Sequence, residues 1–200
     1  MKRYDLTMMQ SRPPAFLIVA CLMAVYIIWG TTYFAIKVGI EEMSPFFLVG
    51  TRFLVAGGLL LGWQAMRRQR LPTLAQWRGA AVVGFLLLVA GNGLVAVAEH
   101  WVSSGATVAL ISTVPLAIAL WSGAFGDWPK RVEWMAITIG GVGAAIMLMG
   151  RDLQASGIGT FIIVVGIACW SLGTVLSRRL DIPHGPSGFG AEMLMAGFMG

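Results

Sequence analysis

Charge is what this sequence has least of. Only 12% of its 200 residues are Asp, Glu, Lys or Arg, against 58% hydrophobic, and the mean hydropathy is +0.80. A soluble domain carries about 25% charged residues, so the chain lacks the polar surface that water requires. Cysteine is down to two, Cys21 and Cys169, both inside apolar runs. That rules out a disulfide framework and a thiolate metal cluster, and leaves both as small apolar side chains. Histidine is down to His100 and His184, both in loops. There is no H-E-x-x-H, G-x-S-x-G, C-x-x-C or P-loop, so the usual signatures of a zinc hydrolase, a nucleophile-elbow hydrolase, a redox dithiol and a nucleotide-driven pump are all missing. No metal and no cofactor is expected. Gly141-Val-Gly143 has the spacing of a dinucleotide loop, but it lies in an apolar span with no strand before it.

What is present is long uncharged sequence. Between Arg12 and Lys37 lie 24 residues without a charge, between Arg78 and Glu99 lie 20, and between Asp152 and Arg178 lie 25. About 20 apolar residues cross a bilayer as a helix. The expectation is an all-α polytopic membrane protein whose first helix is retained, since the N-terminal apolar run is too long for a signal peptide and further spans follow.

Seven helices are expected: about 13–36, 45–66, 79–98, 103–125, 132–150, 157–177, and a last one that begins at Pro186 and is cut by the end of the chain. Ser44 with Pro45 reads as N-cap and first helical residue. Thr73 and Gln76 have capping-box spacing, and Ser103 or Ser104 opens the fourth helix. Pro115 is expected to kink that helix. Gly140, Gly141 and Gly143 are expected to let the fifth helix pack closely. With the N-terminus in the cytoplasm, the inner segments hold eleven basic residues, including Arg67, Arg68, Arg70, Lys130, Arg131, Arg178 and Arg179. The outer segments hold only Lys37 and Arg151. This asymmetry over short loops fixes the orientation, and it accounts for the net charge of +5 without nucleic-acid binding. Glu41, Glu42, Glu99 and Asp152 then fall outside.

One stretch, YIIWGTTYFAIKVG at 26–39, returns weakly as CWSLGTVLSRRLDI at 169–182. At an offset of 141 residues Trp29 meets Trp170, Lys37 meets Arg178, Pro45 meets Pro186 and Leu54 meets Met195. Five helices separate the copies, so they cross the membrane in opposite directions. Two halves of inverted topology are the arrangement of many secondary transporters. The first repeat is expected over 13–150 and an incomplete second repeat over 157–200, in a truncated chain.

The segments YIIWGTTYFAIKVG, SPFFLVGTRFLVAGGLLL, AGNGLVAVAEHWVSSGATVALISTVPLAIAL and FGDWPKRVEWMAITIGGVGAAIM resemble the drug/metabolite transporter superfamily, specifically EamA-type permeases of the YedA-like inner-membrane branch. The resemblance covers the chain from Ala24 onward. It implies about ten helices in two inverted five-helix repeats, a central cavity, an inner-membrane location, and import or export of small metabolites or drug-like solutes. Gly126-Asp127 stands where the family often has Gly-Glu. The fold serves many substrates, so membership does not choose one.

Six residues are candidates for the substrate pathway. Trp29 and Tyr33 share a stripe with Lys37 at i, i+4 and i+8, and Trp170, Thr174 and Arg178 repeat it. An aromatic stripe can stack a planar or cationic solute; the plainer alternative is interfacial anchoring, with Lys37 and Arg178 reaching to headgroups. Arg52 and Glu192 are the charges inside spans, where a charge is costly and usually faces a bundle interior or a wet cavity. They sit at opposite depths, so no direct pair is implied. Arg52 has outward snorkelling beside Glu41 and Glu42 as its alternative. Glu192 is read as binding a cationic group of the solute or a coupling proton. Asn92, between Gly91 and Gly93, either contacts solute or bridges helices. A non-transporting membrane scaffold and an intramembrane lipid-modifying enzyme are the rival functions. The first has no need of an inverted duplication, and the second lacks a nucleophile with its base.

Overall fold

The computed structural model describes residues 14–149 and 155–200. Pro13, the N-terminal basic residues and Gly150 to Asp152 lie outside the described residues. Seven helical segments follow in order: α1 (Ala15–Glu42), α2 (Pro45–Met66), α3 (Leu74–Ala98), α4 (Ser104–Ala124), α5 (Arg131–Leu148), α6 (Gly157–Ser177) and α7 (Pro186–Met199). Five of them, α1 to α4 and α6, are long and apolar enough to cross a membrane. The protein is an all-α polytopic membrane protein.

Local sequence explains where the helices begin and break. Thr73 and Gln76 form the expected capping box at the start of α3, which begins five residues earlier than expected. Ser103 is the cap of α4, accepting from Ala106 N at 3.3 Å. Pro45 and Pro186 are the first helical residues of α2 and α7, where a missing N–H costs nothing. Ser44 holds the N-cap position before Pro45 without a side-chain cap bond. The α4 chain breaks at Ser112–Thr113, just ahead of Pro115, whose ring cannot continue the preceding turn. The Ser112 and Thr113 hydroxyls donate back to Ala109 O and Leu110 O, at 2.6 and 2.7 Å.

Within α3, residues Phe85–Asn92 wind as a π-helix, and Asn92 Nδ2 donates to Leu87 O at 3.1 Å. Such widened turns recur at functional sites. They place an extra residue in the turn and turn the following side chains relative to those before.

The connections alternate between two ends. At one end the α3–α4 turn meets the start of α6: Ser156 N donates to Trp101 O, and Val102 pairs with Ala155. At the other end Arg179 pairs with Asp127, Gln76 donates to Asp181, and the Ser187 hydroxyl donates to Arg70 O. Helices α1 and α6 therefore run in opposite directions, and so do α2 and α7.

Helices α2 and α7 approach closely along their length. A side-chain carbon at Gly57 would lie 2.6 Å from Leu194 N and 2.9 Å from Gly190 O, and one at Gly197 would lie 2.6 Å from Leu54 N. Gly50 likewise sits against Gly197 and Gly200. Small residues let backbones approach where lipid offers no hydrophobic gain for helix association. Exchanging the halves by the 141-residue offset carries the Gly57–Gly190 contact onto Val49 and Phe198, beside the observed Gly50–Gly197 contact. The antiparallel pair is thus centred on Leu54 and Met195, two residues that the offset equates.

The buried core has two parts. One joins Ile36 and Ile40 of α1, Val49 and Phe53 of α2, Val89 and Ala96 of α3, and Ala196 of α7. The other joins Ala98, Val102 and Ala106 to Ile163 and Ile167 of α6. The expectation that glycines pack α5 closely is not met. Gly140, Gly141 and Gly143 have no neighbour within 4 Å of an added side-chain carbon and lie on an exposed face.

Candidate functional site

The stripe on α1 meets its counterpart on α6. The Trp29 and Trp170 rings stack with centroids 6.2 Å apart and planes 15° from parallel. Trp29 Nε1 donates to the Tyr33 hydroxyl at 3.1 Å. Trp29 remains half exposed, at 49%, whereas Tyr33 is buried at 6%. Gly91 of α3 makes room for Trp170: a carbon added at Gly91 would lie 3.1 Å from Trp170 Cβ. Gly93, two residues on, makes room for the Phe46 ring of α2. Asn92 between them is half-buried and spends an amide hydrogen on the π-turn, so it shapes the backbone beside the tryptophans.

Lys37 departs from the headgroup reading. Its ammonium donates to the backbone carbonyl of Glu99 and lies half-buried. Glu99 departs further. Read as an outer-loop acid, it is fully enclosed at 0% exposure, and neither carboxylate oxygen takes a hydrogen bond from the described residues. Burial pushes its pKa up to about 7, against the opposing pull of Lys37 and the Ser104 side chain. The sequence did carry a signal: Glu99 closes a 20-residue uncharged run and is followed within two residues by Trp101, so it sits at the rim of a span.

The remaining candidates lie elsewhere. Arg52 is half-buried with its guanidinium 4.7 Å from the Phe53 ring centroid, and it makes no ion pair among the described residues. Glu192 is 9% exposed on α7, and its carbonyl packs on Gly84 of α3 at 2.5 Å from an added carbon. Gly84 is eight residues before Asn92, about 12 Å along the axis, so Glu192 belongs to a different level from the tryptophan pair. Arg178 is exposed. It lines an open groove of about 890 Å³ between α4, α5 and α6 with Asp127, Lys130, Glu133 and Arg179. No other pathway candidate lines that groove, and its Arg179 and Asp127 are already paired with each other.

A family model described as the EamA-like transporter family matches residues 16–149. The chain belongs to this family. Over 177 residues it is 41% identical to the "Uncharacterized inner membrane transporter YedA" of Escherichia coli strain K12, covering 88% of this chain and 58% of that protein. Over 165 residues it is 26% identical to an "Uncharacterized transporter" of Archaeoglobus fulgidus, covering 79% and 56%. Over 172 residues it is 23% identical to the "Uncharacterized transporter YoaV" of Bacillus subtilis, covering 82% and 59%. The chain spans less than three fifths of the length of these relatives. No solved structure matches it.

Proposed function

We propose that the protein is part of a secondary transporter of the inner membrane that moves small metabolites or drug-like solutes by alternating access between two inverted repeats. The first repeat is 13–150 and the second begins at 157. The observation that carries this reading is the Trp29–Trp170 stack, in which residues equated by the repeat meet face to face from antiparallel helices. The α2–α7 pair, centred on another equated pair, supports the same two-fold relation. An axis lying in the membrane plane would exchange inside and outside, which is what alternating access requires. The names of the relatives agree with a transporter.

In this reading Trp29, Tyr33 and Trp170 close the pathway, and a planar or cationic solute passes by replacing one tryptophan face with its own. Asn92 sets the backbone beside them. Glu192, enclosed at the level of Gly84, is a binding point for a cationic group or a coupling proton. Arg52 carries no assigned contact with solute. The test is a solute-uptake or toxicity-resistance screen with the full-length protein, comparing parent with Trp29→Ala and Trp170→Ala. Equal transport by all three would remove the pathway assignment.

A further inference from the structure

Glu99 is an ionisable group placed where no structural role accounts for it. Ala98 and Val102 on either side belong to the second core cluster. The carboxylate is fully enclosed, and among the described residues neither oxygen has a hydrogen-bond partner. An enclosed polar group without a partner is destabilising, and a charged one more so. Three further polar groups converge on it or on its neighbourhood. Lys37 reaches the Glu99 carbonyl from α1, and Ser104 approaches from the start of α4. Thr107, one turn beyond Ser104 on the same face of α4, is also fully enclosed with an unpartnered hydroxyl. Among the described residues Lys37 is the charge that acts on Glu99, and the Tyr33 hydroxyl is the other titratable group that faces it from α1.

We propose that Glu99, with Lys37 and Ser104 beside it, is a proton-binding site. The arrangement seen is one a neutral carboxyl favours: Lys37 gives its hydrogen bond to the Glu99 backbone carbonyl and forms no ion pair with the side chain. On release, the Glu99 O–H bond breaks, its electron pair stays on the carboxylate, and the proton leaves to water at that end of the bundle. Lys37, already bonded to the Glu99 backbone, is the cation that pairs with the new charge. A proton suits the site better than a metal ion, because one carboxylate beside an ammonium has no charge left for a second cation. Burial raises the affinity into the neutral range, so the site exchanges its proton at ordinary pH. Only the role of this exchange in a transport cycle rests on the transporter reading; the protonation itself does not.

The test is infrared difference titration of the carboxylic C=O band on the whole chain in lipid nanodiscs, with helicity checked for each variant. With the other enclosed carboxyl removed by Glu192→Gln, a protonated-carboxyl band should titrate around neutral pH, should persist when the exposed-site control Glu42→Gln is added, and should be missing when Glu99→Gln is added. Lys37→Gln keeps the carboxylate and removes its countercharge, so the midpoint should rise by about one pH unit or more. This second variant decides the matter if Glu99→Gln fails to fold. A band that persists unchanged in Glu99→Gln, or a midpoint unmoved in Lys37→Gln, overturns the proposal. A midpoint lowered by sodium but not by potassium overturns it in favour of a metal-cation site. Failure of the transport screen with this titration intact would sink the transporter reading and leave the proton site standing.

Discussion

Trp29 and Trp170 lie 141 residues apart and stack on one another at 6.2 Å, from helices that run in opposite directions. A pair of equated residues can meet only where the operation that equates them brings them together. For an inverted repeat, that place is the axis itself. Leu54 and Met195, at the centre of the α2–α7 contact, mark a second point of the same kind. Two such points define a line, which in the proposed repeat passes through the interface between the halves.

The stack should therefore be worth more than either ring alone. Trp29→Ala and Trp170→Ala should each lower thermal stability in detergent, and the double variant should lose less than the sum. The coupling between them is expected at about 0.5–1.5 kcal/mol, the usual range for aromatic pairs. Additive losses would mean that the rings merely fill separate spaces.

Gly57 and Gly58 offer a paired control on the α2–α7 contact. A methyl at Gly57 would sit 2.6 Å from Leu194 N, whereas one at Gly58 meets nothing within 4 Å. Gly57→Ala should destabilise by about 1–3 kcal/mol as backbones are forced apart. Gly58→Ala should be neutral, or stabilising by up to about 1 kcal/mol from helix propensity. Thermal denaturation of the two single variants separates them. Similar behaviour of the two would put the α2–α7 packing in error.

Most of the fold could be read from the sequence because a bilayer leaves a helix few alternatives. Uncharged runs located the spans, and Thr73–Gln76, Pro45 and Pro186 located helix starts. The Trp29–Tyr33–Lys37 stripe was legible as a face, since helical spacing fixes faces. What it faces was not, because nothing local says which helix comes alongside. Glu99 was misplaced for the same reason. A charge next to a turn reads as solvent-exposed, and only the arrival of α1, α4 and α6 around the α3 terminus encloses it. The α5 glycines were misread in the opposite sense: small residues permit close approach, but no described helix takes it up. The π-turn at Phe85–Asn92 left no sequence mark beyond Asn92 itself.

Orientation rests on basic residues, eleven against two. Reporter fusions after Arg68, Arg131 and Arg179 should read as cytoplasmic, and one after Glu42 as external. The structure groups the first three positions at one end of the bundle, so they must agree with one another. A periplasmic signal from the Arg68 fusion alone would contradict both the charge rule and the alternation of the helices.

Glu99 should make stability fall as pH rises. Its pKa moves from 4.5 to about 7 on folding, so between these values the folded chain holds a proton that the unfolded chain has lost. Stability is then highest below about pH 4.5, declines through the interval, and levels off above about 7. The total is on the order of 3 kcal/mol at about 1.4 kcal/mol per unit. Glu99→Gln cannot ionise and should flatten this part of the profile. A parent profile that rises between pH 5 and 7 would contradict the sign.

Glu192 of α7 and Arg52 of α2 are both charges within apolar helices, and their surroundings separate their roles. Arg52 is only partly buried and rests on its neighbour Phe53, a posture that serves packing and reach toward the membrane surface. Glu192 is short, 9% exposed, and held where α7 lies against Gly84 of α3 and Gly57 of α2. It has no hydrogen-bond or ion-pair partner among the described residues, so packing gains nothing from its charge. Glu192→Gln keeps size and polarity while removing ionisation. In the full-length protein it should reduce transport of a cationic solute, or flatten the pH dependence of transport, at unchanged expression. Arg52→Ala should have the smaller effect. If Glu192→Gln transports like the parent at every pH while Glu99→Gln does not, proton handling lies wholly with the Glu99 cluster. Loss in both would require two carboxylates acting in series, one near each end of the pathway.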